Sequence, residues 1–89
     1  MRPMAKAPEG YDLDVRGLFC PLPVVLAQRA LDPLPPGGRL TVIGDDPAIW
    51  GDVPAWCAER GHRLVELVAG EGEEVRFVVE KAGAPPASR

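Results

Sequence analysis

The pattern of apolar and polar residues predicts four β-strands in this chain. Apolar and polar residues alternate over residues 11–16 (YDLDVR), which indicates a first strand with one buried face. Three further strands are predicted at residues 39–46 (RLTVIGDD), 62–69 (HRLVELVA) and 75–80 (VRFVVE). The polar segment GEGEE between the last two strands is short enough for an antiparallel hairpin.

Apolar residues at helical spacing predict two α-helices between these strands. The first helix lies within residues 21–34 (PLPVVLAQRALDPL), and the Pro/Gly-rich segment that follows ends it. The second lies within residues 52–61 (DVPAWCAERG), with Asp52 as the predicted N-cap and Gly61 at the C-terminal end. Its inner face is predicted to carry Val53, Trp56 and Cys57.

The element order β-α-β-α-β-β in a chain of 89 residues favours a two-layer architecture. We therefore predict an α+β two-layer sandwich, in which both helices cover one face of a mixed four-stranded sheet. A single domain is expected over residues 11–81. Residues 1–10 and 82–89 are predicted to be flexible tails, because they are rich in proline and small or charged residues.

Charge and hydropathy narrow the classes of function. The chain has 10 Lys and Arg against 13 Asp and Glu, for a formal net charge of −3. Direct nucleic-acid or membrane-surface binding usually needs a basic excess, so neither is expected. No apolar run approaches the ~20 residues that span a bilayer, and residues 1–10 lack the apolar core of a signal peptide. The expected compartment is the cytoplasm, where a disulfide would be unusual.

Cys20 stands at the junction of the first predicted strand and the first predicted helix, within residues 17–25 (GLFCPLPVV). In open α/β sheets, ligands bind and chemistry takes place at such carboxyl-end loops. Pro21 and Pro23 suit the first helical turn, which leaves Cys20 at the N-cap or just before it. The helix dipole then predicts a lowered Cys20 pKa, and Gly17 permits a sharp turn. The alternative is an ordinary buried thiol.

The other chemistry-bearing residues suggest structural roles. Cys57 forms no C-x-x-C motif with Cys20 and is predicted to pack in the core. Two cysteines and one histidine cannot complete a zinc site without carboxylates, and no metal or cofactor is predicted. His62 is interpreted as an exposed or half-buried polar residue rather than a base for Cys20. Asp45 and Asp46 are interpreted as a strand-end turn rather than a cation site.

The segment around Cys20 resembles the signature of the TusA/SirA-like sulfur carrier family. That signature is Asp, two residues, Gly, two residues and Cys-Pro-x-Pro, and it is matched by Asp14, Gly17, Cys20, Pro21 and Pro23. The likeness continues through a Gly-x-Leu strand, an Asp-Asp-Pro turn and a helix that contains Val-Pro and a cysteine. It covers about residues 13–81, which is nearly all of the predicted domain.

This resemblance implies a sulfurtransferase-type carrier that holds sulfur as a persulfide on Cys20. The implied donor is a protein such as a cysteine desulfurase or a rhodanese, and the implied acceptor is another protein. Uses in the family include tRNA thiolation, molybdenum cofactor maturation and other sulfur or selenium metabolism. Asp14, Gly17, Pro21 and Pro23 are implied to support the cysteine.

One position departs from the family pattern. Several members have a basic residue immediately before the cysteine, where this chain has Phe19. Arg16 is the nearest preceding cation, and we predict that Arg16 and Phe19 contact a partner protein. A competing hypothesis is a non-catalytic interaction or regulatory module, in which Cys-Pro-x-Pro is only a rigid helix start. That hypothesis predicts that Cys20→Ser preserves function.

Overall fold

One mixed sheet carries both helices on the same face. The computed structural model describes residues 3–7 and 10–82, with side chains described from residue 12 onward. In chain order the elements are β1 (Pro3–Ala7), β2 (Gly10–Asp14), α1 (Leu22–Leu31), β3 (Arg39–Gly44), α2 (Ile49–Arg60), β4 (Arg63–Ala69) and β5 (Val75–Glu80). The strand order is β1-β2-β3-β5-β4. Strands β2 and β3 are parallel, and the other neighbouring pairs are antiparallel.

The predicted α+β class, the two helices and the mixed sheet built from the four predicted strands are confirmed. Strands β4 and β5 form the expected antiparallel hairpin. The sheet gains a fifth strand because β1 pairs with β2. Part of the predicted flexible tail at residues 1–10 is therefore an edge strand. The sequence of β1, PMAKA, shows no alternating pattern. The β1 backbone nevertheless pairs with backbone groups on the edge of β2 that would otherwise have no partner in the sheet. Of the predicted tail at 82–89, residues 83–89 lie outside the described residues.

Helix α2 begins earlier than the sequence predicts. Ala48 is its N-cap, so Asp52 lies in the first turn and does not cap the helix. Ala48 has no side-chain oxygen that could accept a hydrogen bond from the first turn of α2, so the usual sequence signal of a helix start is missing there. At the other end Gly61 adopts a left-handed conformation with φ of 77°, as expected of a helix-ending glycine.

The core lies between the helices and the sheet and is mostly aliphatic. The strands contribute Leu13, Val15, Leu40, Val42, Val75, Phe77 and Val79, and the helices contribute Ala27, Ala30, Leu31, Ile49, Val53, Trp56 and Cys57. Strand β5 shows the predicted alternation of buried and more exposed positions. Gly44 ends β3 against α2, where an added Cβ would lie 2.5 Å from Ile49 Cδ1. A larger residue at this position would force the Ile49 and Val15 side chains to shift.

The parallel pairing of β2 and β3 decides where a site can form. Because the two strands run in the same direction, the loop after β2 and the loop after β3 leave the same edge of the sheet. The first loop carries Cys20 and the second carries Asp45 and Asp46. Among the described residues, neither helix has the length and apolar character that crossing a membrane requires.

Candidate functional site

Cys20 lies immediately before the N-cap of α1, which is Pro21. This position agrees with the sequence prediction. The turn that leads into the helix is closed by the Leu22 N–H, which donates to the Phe19 carbonyl oxygen with an N···O distance of 2.8 Å. Pro23 is buried in the first turn of the helix. The prolines thus form the start of α1 and leave the Cys20 side chain outside it.

The two cysteines have opposite environments. Cys20 is exposed, whereas Cys57 is buried in the core at 3% exposure. Burial raises the pKa of Cys57 to about 11, which keeps this thiol protonated at neutral pH. The alternative of an ordinary buried thiol therefore describes Cys57 and does not describe Cys20.

Asp45 and Asp46 hold the cysteine loop at its two ends. The Gly17 N–H donates to Asp45 Oδ1 at 2.9 Å, and the Cys20 N–H donates to Asp46 Oδ2 at 2.6 Å. The other oxygen of Asp46 accepts the Ala48 N–H at 3.1 Å. Gly17 has φ of 84°, in the left-handed region that favours glycine. The predicted turn at Asp45 and Asp46 is present. The two carboxylates also bind the backbone of the loop that follows β2, the parallel neighbour of β3.

A groove of about 370 Å³ opens beside the Cys20 sulfur, between α1 and α2. It is lined by Cys20, Pro21, Val24, Asp52, Ala55, Trp56, Glu59 and Arg60. Asp52 lines this groove together with Cys20, and its interaction with the thiol is the largest cause that raises the pKa of Cys20. Sequence analysis missed this role and interpreted Asp52 as a helix cap. No local signal could have revealed the contact, since it depends on how the two helices pack.

The pKa of Cys20 is raised, which contradicts the lowered pKa predicted from the helix dipole. The interaction of the thiol with the Asp52 side chain is the largest cause, followed by desolvation and by the negative charges of Asp52 and Asp46. Each carboxylate stabilises the protonated thiol relative to the thiolate. Pro21 and Pro23 also lack the N–H groups through which a helix N-terminus stabilises an anion. The resting cysteine is therefore mainly a neutral thiol at neutral pH.

Asp52→Asn should lower the pKa of Cys20, because it removes the negative charge that opposes the thiolate. Alkylation by iodoacetamide at pH 7.5 should become roughly two- to threefold faster, since the lower nucleophilicity of the less basic thiolate offsets part of the gain. The midpoint of the alkylation rate against pH should move to lower pH. Glu59→Gln is a matched control on the same groove, because Glu59 does not contribute to the raised pKa of Cys20. An unchanged Asp52→Asn midpoint would contradict this assignment.

Asp14 and Arg16 form a local ion pair beside the cysteine loop. Arg16 Nη2 lies 2.7 Å from Asp14 Oδ2, and its Nη1 lies 3.1 Å from Glu74 Oε2. The hydrogen bonds from Arg16 lower the pKa of Asp14 to about 2. Since two carboxylates already bind Arg16, its charge is largely compensated. The predicted contact of Arg16 with a partner remains a prediction.

An apolar patch flanks Cys20 on the surface. Phe19 is 69% exposed, and Leu22 and Val25 on α1 are 45% and 36% exposed. Three large apolar side chains this close together on a small surface are typical of a contact site for another molecule. Phe19 is accessible to a partner, and its docking role stays a prediction.

His62 belongs to a hydrogen-bonded network at the far end of α2. Its Nδ1 accepts the Ala82 N–H at 2.9 Å, and its Nε2 lies 3.2 Å from Gln28 Oε1. The same Gln28 oxygen accepts the Trp56 Nε1–H at 2.9 Å. Desolvation is the main cause that lowers the His62 pKa, with smaller contributions from the charges of Arg60 and Lys81. Both ring nitrogens of the half-buried His62 are therefore engaged in hydrogen bonds that stabilise the fold.

Nowhere in residues 12–82 do three His, Cys, Asp or Glu side chains group in a way that could hold a metal ion.

The fold and the site together define a class of protein, a small α+β domain with one exposed thiol on the loop that enters its first helix. A family model described as sulfurtransferase TusA matches residues 11–81. The chain is 46% identical over 66 residues to the sulfur carrier protein TusA of Pseudomonas syringae pv. tomato, which covers 74% of this chain and 75% of that protein. The corresponding protein of Pseudomonas syringae pv. syringae is 41% identical over 71 residues, covering 80% and 84% of the two chains.

A solved structure supports the same assignment. The SirA-like protein from Desulfitobacterium hafniense superposes with a TM-score of 0.70 at 26% identity, over 82% of this chain and 97% of the other. The chain belongs to the TusA family of sulfur carrier proteins. Membership supports a role in sulfur relay, with one partner that supplies sulfur and another that receives it.

Proposed function

We propose that this protein carries sulfur as a persulfide on Cys20. The observation that carries the proposal is the contrast between its two cysteines. Cys20 is exposed on a loop whose backbone is held by Asp46, whereas Cys57 is buried. A carrier needs one thiol that two different proteins can reach in turn, and it needs no second thiol to receive sulfur.

Each transfer is an exchange between a thiolate and a persulfide. Cys20 loses its proton, and its thiolate attacks the outer sulfur of a persulfide on the donor. The sulfur–sulfur bond of the donor breaks, the donor cysteine leaves as a thiolate, and Cys20 becomes the persulfide. A nucleophile on the acceptor then attacks the outer sulfur of Cys20 and releases the Cys20 thiolate. No external oxidant or reductant is consumed in the first exchange.

The donor proposed here is a cysteine desulfurase or a rhodanese-like protein. The acceptor is a protein of tRNA thiolation, molybdenum cofactor formation or other sulfur or selenium metabolism. Family membership supports these classes, and the exposed Phe19 and Leu22 offer apolar surface for either partner. We place this chemistry in the cytoplasm, because a reducing compartment keeps an exposed cysteine available as a thiol.

The proposal is tested by incubating the wild-type protein with a cysteine desulfurase and L-cysteine and then measuring intact masses. We expect a gain of about 32 Da, the mass of one sulfur atom, which dithiothreitol removes. Digestion after alkylation should place the added sulfur on the peptide that contains Cys20. No adduct, or an adduct confined to the peptide that contains Cys57, would contradict the proposal.

A non-catalytic interaction module is the second candidate function. The raised pKa of Cys20 favours it, because a thiol kept protonated by Asp52 is less reactive than a free thiolate. Under this hypothesis the Cys-Pro-x-Pro segment only shapes the start of α1. Cys20→Ser distinguishes the two candidate functions, because only a sulfur carrier needs the sulfur atom of Cys20.

A further inference from the structure

Asp46 is the one charged residue of the described side chains that is buried, at 8% exposure. It lies between the end of β3 and the N-cap of α2, at Ala48. A buried carboxylate is costly unless its oxygens accept hydrogen bonds. Asp46 uses both oxygens in this way, one for the Ala48 N–H and the other for the Cys20 N–H. The second bond joins two loops that are far apart in sequence.

The loop around Cys20 is also held by hydrogen bonds from the N–H groups of Gly17, Leu18 and Leu22, but none of these three bonds uses the Cys20 backbone. Pro21 and Pro23 have no N–H, and Pro21, the N-cap of α1, has no side-chain oxygen that could cap the helix. The bond to Asp46 is therefore the direct restraint on the backbone that carries the sulfur. It is also short, at 2.6 Å, as expected of a hydrogen bond to a charged acceptor.

The same carboxylate acts on the sulfur by charge. Its negative charge contributes to the raised pKa of Cys20, after the effects of Asp52 and of desolvation. The charged side chains near the sulfur are Asp46 from the β3–α2 loop and Asp52, Glu59 and Arg60 from α2. Asp46 thus combines two opposed effects, because it restrains the cysteine backbone and at the same time disfavours the thiolate.

We propose that Asp46 is a positioning residue for sulfur transfer, and that its hydrogen bond to the Cys20 N–H holds the sulfur where a partner's persulfide can reach it. This inference rests on the proposed function of Cys20. A small displacement of a reacting atom lowers the rate of a transfer between two proteins far more than it affects a small reagent, since only the protein partner demands a fixed geometry. For the rate of sulfur uptake, the gain from the restrained Cys20 backbone outweighs the loss from the Asp46 charge, which disfavours the thiolate.

The test compares Asp46→Asn with Glu66→Gln in sulfur uptake and in alkylation. Asparagine replaces one carboxylate oxygen by an NH2 group, so in Asp46→Asn one of the N–H groups of Ala48 and Cys20 loses its acceptor. Glu66→Gln removes a carboxylate on β4 that pairs with Arg76 and does not contribute to the raised pKa of Cys20. With the same desulfurase, Asp46→Asn should take up sulfur about tenfold more slowly than wild type. Its alkylation midpoint should nevertheless move to lower pH. Glu66→Gln should match wild type in both measurements.

Each outcome decides the proposal. Uptake by Asp46→Asn at the wild-type rate or faster would overturn it, because Asp46 would then act through charge alone. Slow uptake with an unchanged alkylation midpoint would overturn it too, because Asp46 would then not act at the sulfur. If Asp46→Asn does not fold, Asp46→Ser replaces it, since a serine hydroxyl can still accept the local Ala48 N–H but cannot reach Cys20. Absence of uptake by the wild-type protein would instead contradict the proposed function.

Discussion

Cys20→Ala is expected to abolish sulfur loading completely. The substitution removes the one exposed thiol of the two cysteines, and the remaining Cys57 lies in the core with a pKa raised to about 11. A buried, protonated thiol can neither attack a donor persulfide nor be reached by one. After incubation with a cysteine desulfurase and L-cysteine, the intact mass of Cys20→Ala should show no gain of about 32 Da. Its fold should persist, because Cys20 is exposed and is not part of the buried core.

Cys57→Ala is the matched control for this experiment. It should load sulfur like wild type, although the lost sulfur leaves a small cavity in the core. Cys20→Ser separates the two candidate functions, since serine preserves the shape of the helix start without its sulfur chemistry. A sulfur carrier loses its activity in Cys20→Ser, whereas an interaction module retains partner binding and function. Equal loading of wild type and Cys20→Ala would contradict the assignment of the site.

Phe77→Ala is expected to lower the free energy of unfolding by about 3–5 kcal/mol. Phe77 is fully buried on β5, which lies between β3 and β4. Its register partners are Val42 and Leu67, and truncation leaves a cavity in the core between the sheet and the helices. Domains of this size usually have a total stability of about 5–15 kcal/mol, so the loss is a large fraction. Denaturation by urea, followed by circular dichroism, measures the change.

The control for this prediction lies one residue further along the same strand. Val78 is only partly buried and faces away from the helices, so Val78→Ala should cost about 1 kcal/mol or less. A loss in Phe77→Ala no larger than that in Val78→Ala would show that the helix-facing side of β5 is not the centre of the core. A changed slope against urea would indicate an altered denatured state rather than a simple loss of stability.

The site shows how far local sequence information reaches. The position of Cys20 before α1 follows from Pro21 and Pro23, because proline restricts the backbone of its own residue and its neighbours. The pKa of the same thiol was predicted in the wrong direction. It depends on Asp46 and Asp52, which are distant in sequence. Asp46 approaches Cys20 through the parallel pairing of β2 and β3, and Asp52 through the packing of α2.

The sequence by itself determined the elements whose residues alternate or recur regularly. Strand β5 and the inner face of α2 follow from the spacing of their apolar residues, because burial on one side imposes that period. Tertiary structure alone decided the pairing of β1 with β2 and the insertion of β5 between β3 and β4. It also decided the contacts of Asp46 and Asp52 with Cys20. These features depend on contacts between segments that are remote in sequence, and such contacts leave no periodic pattern in either segment.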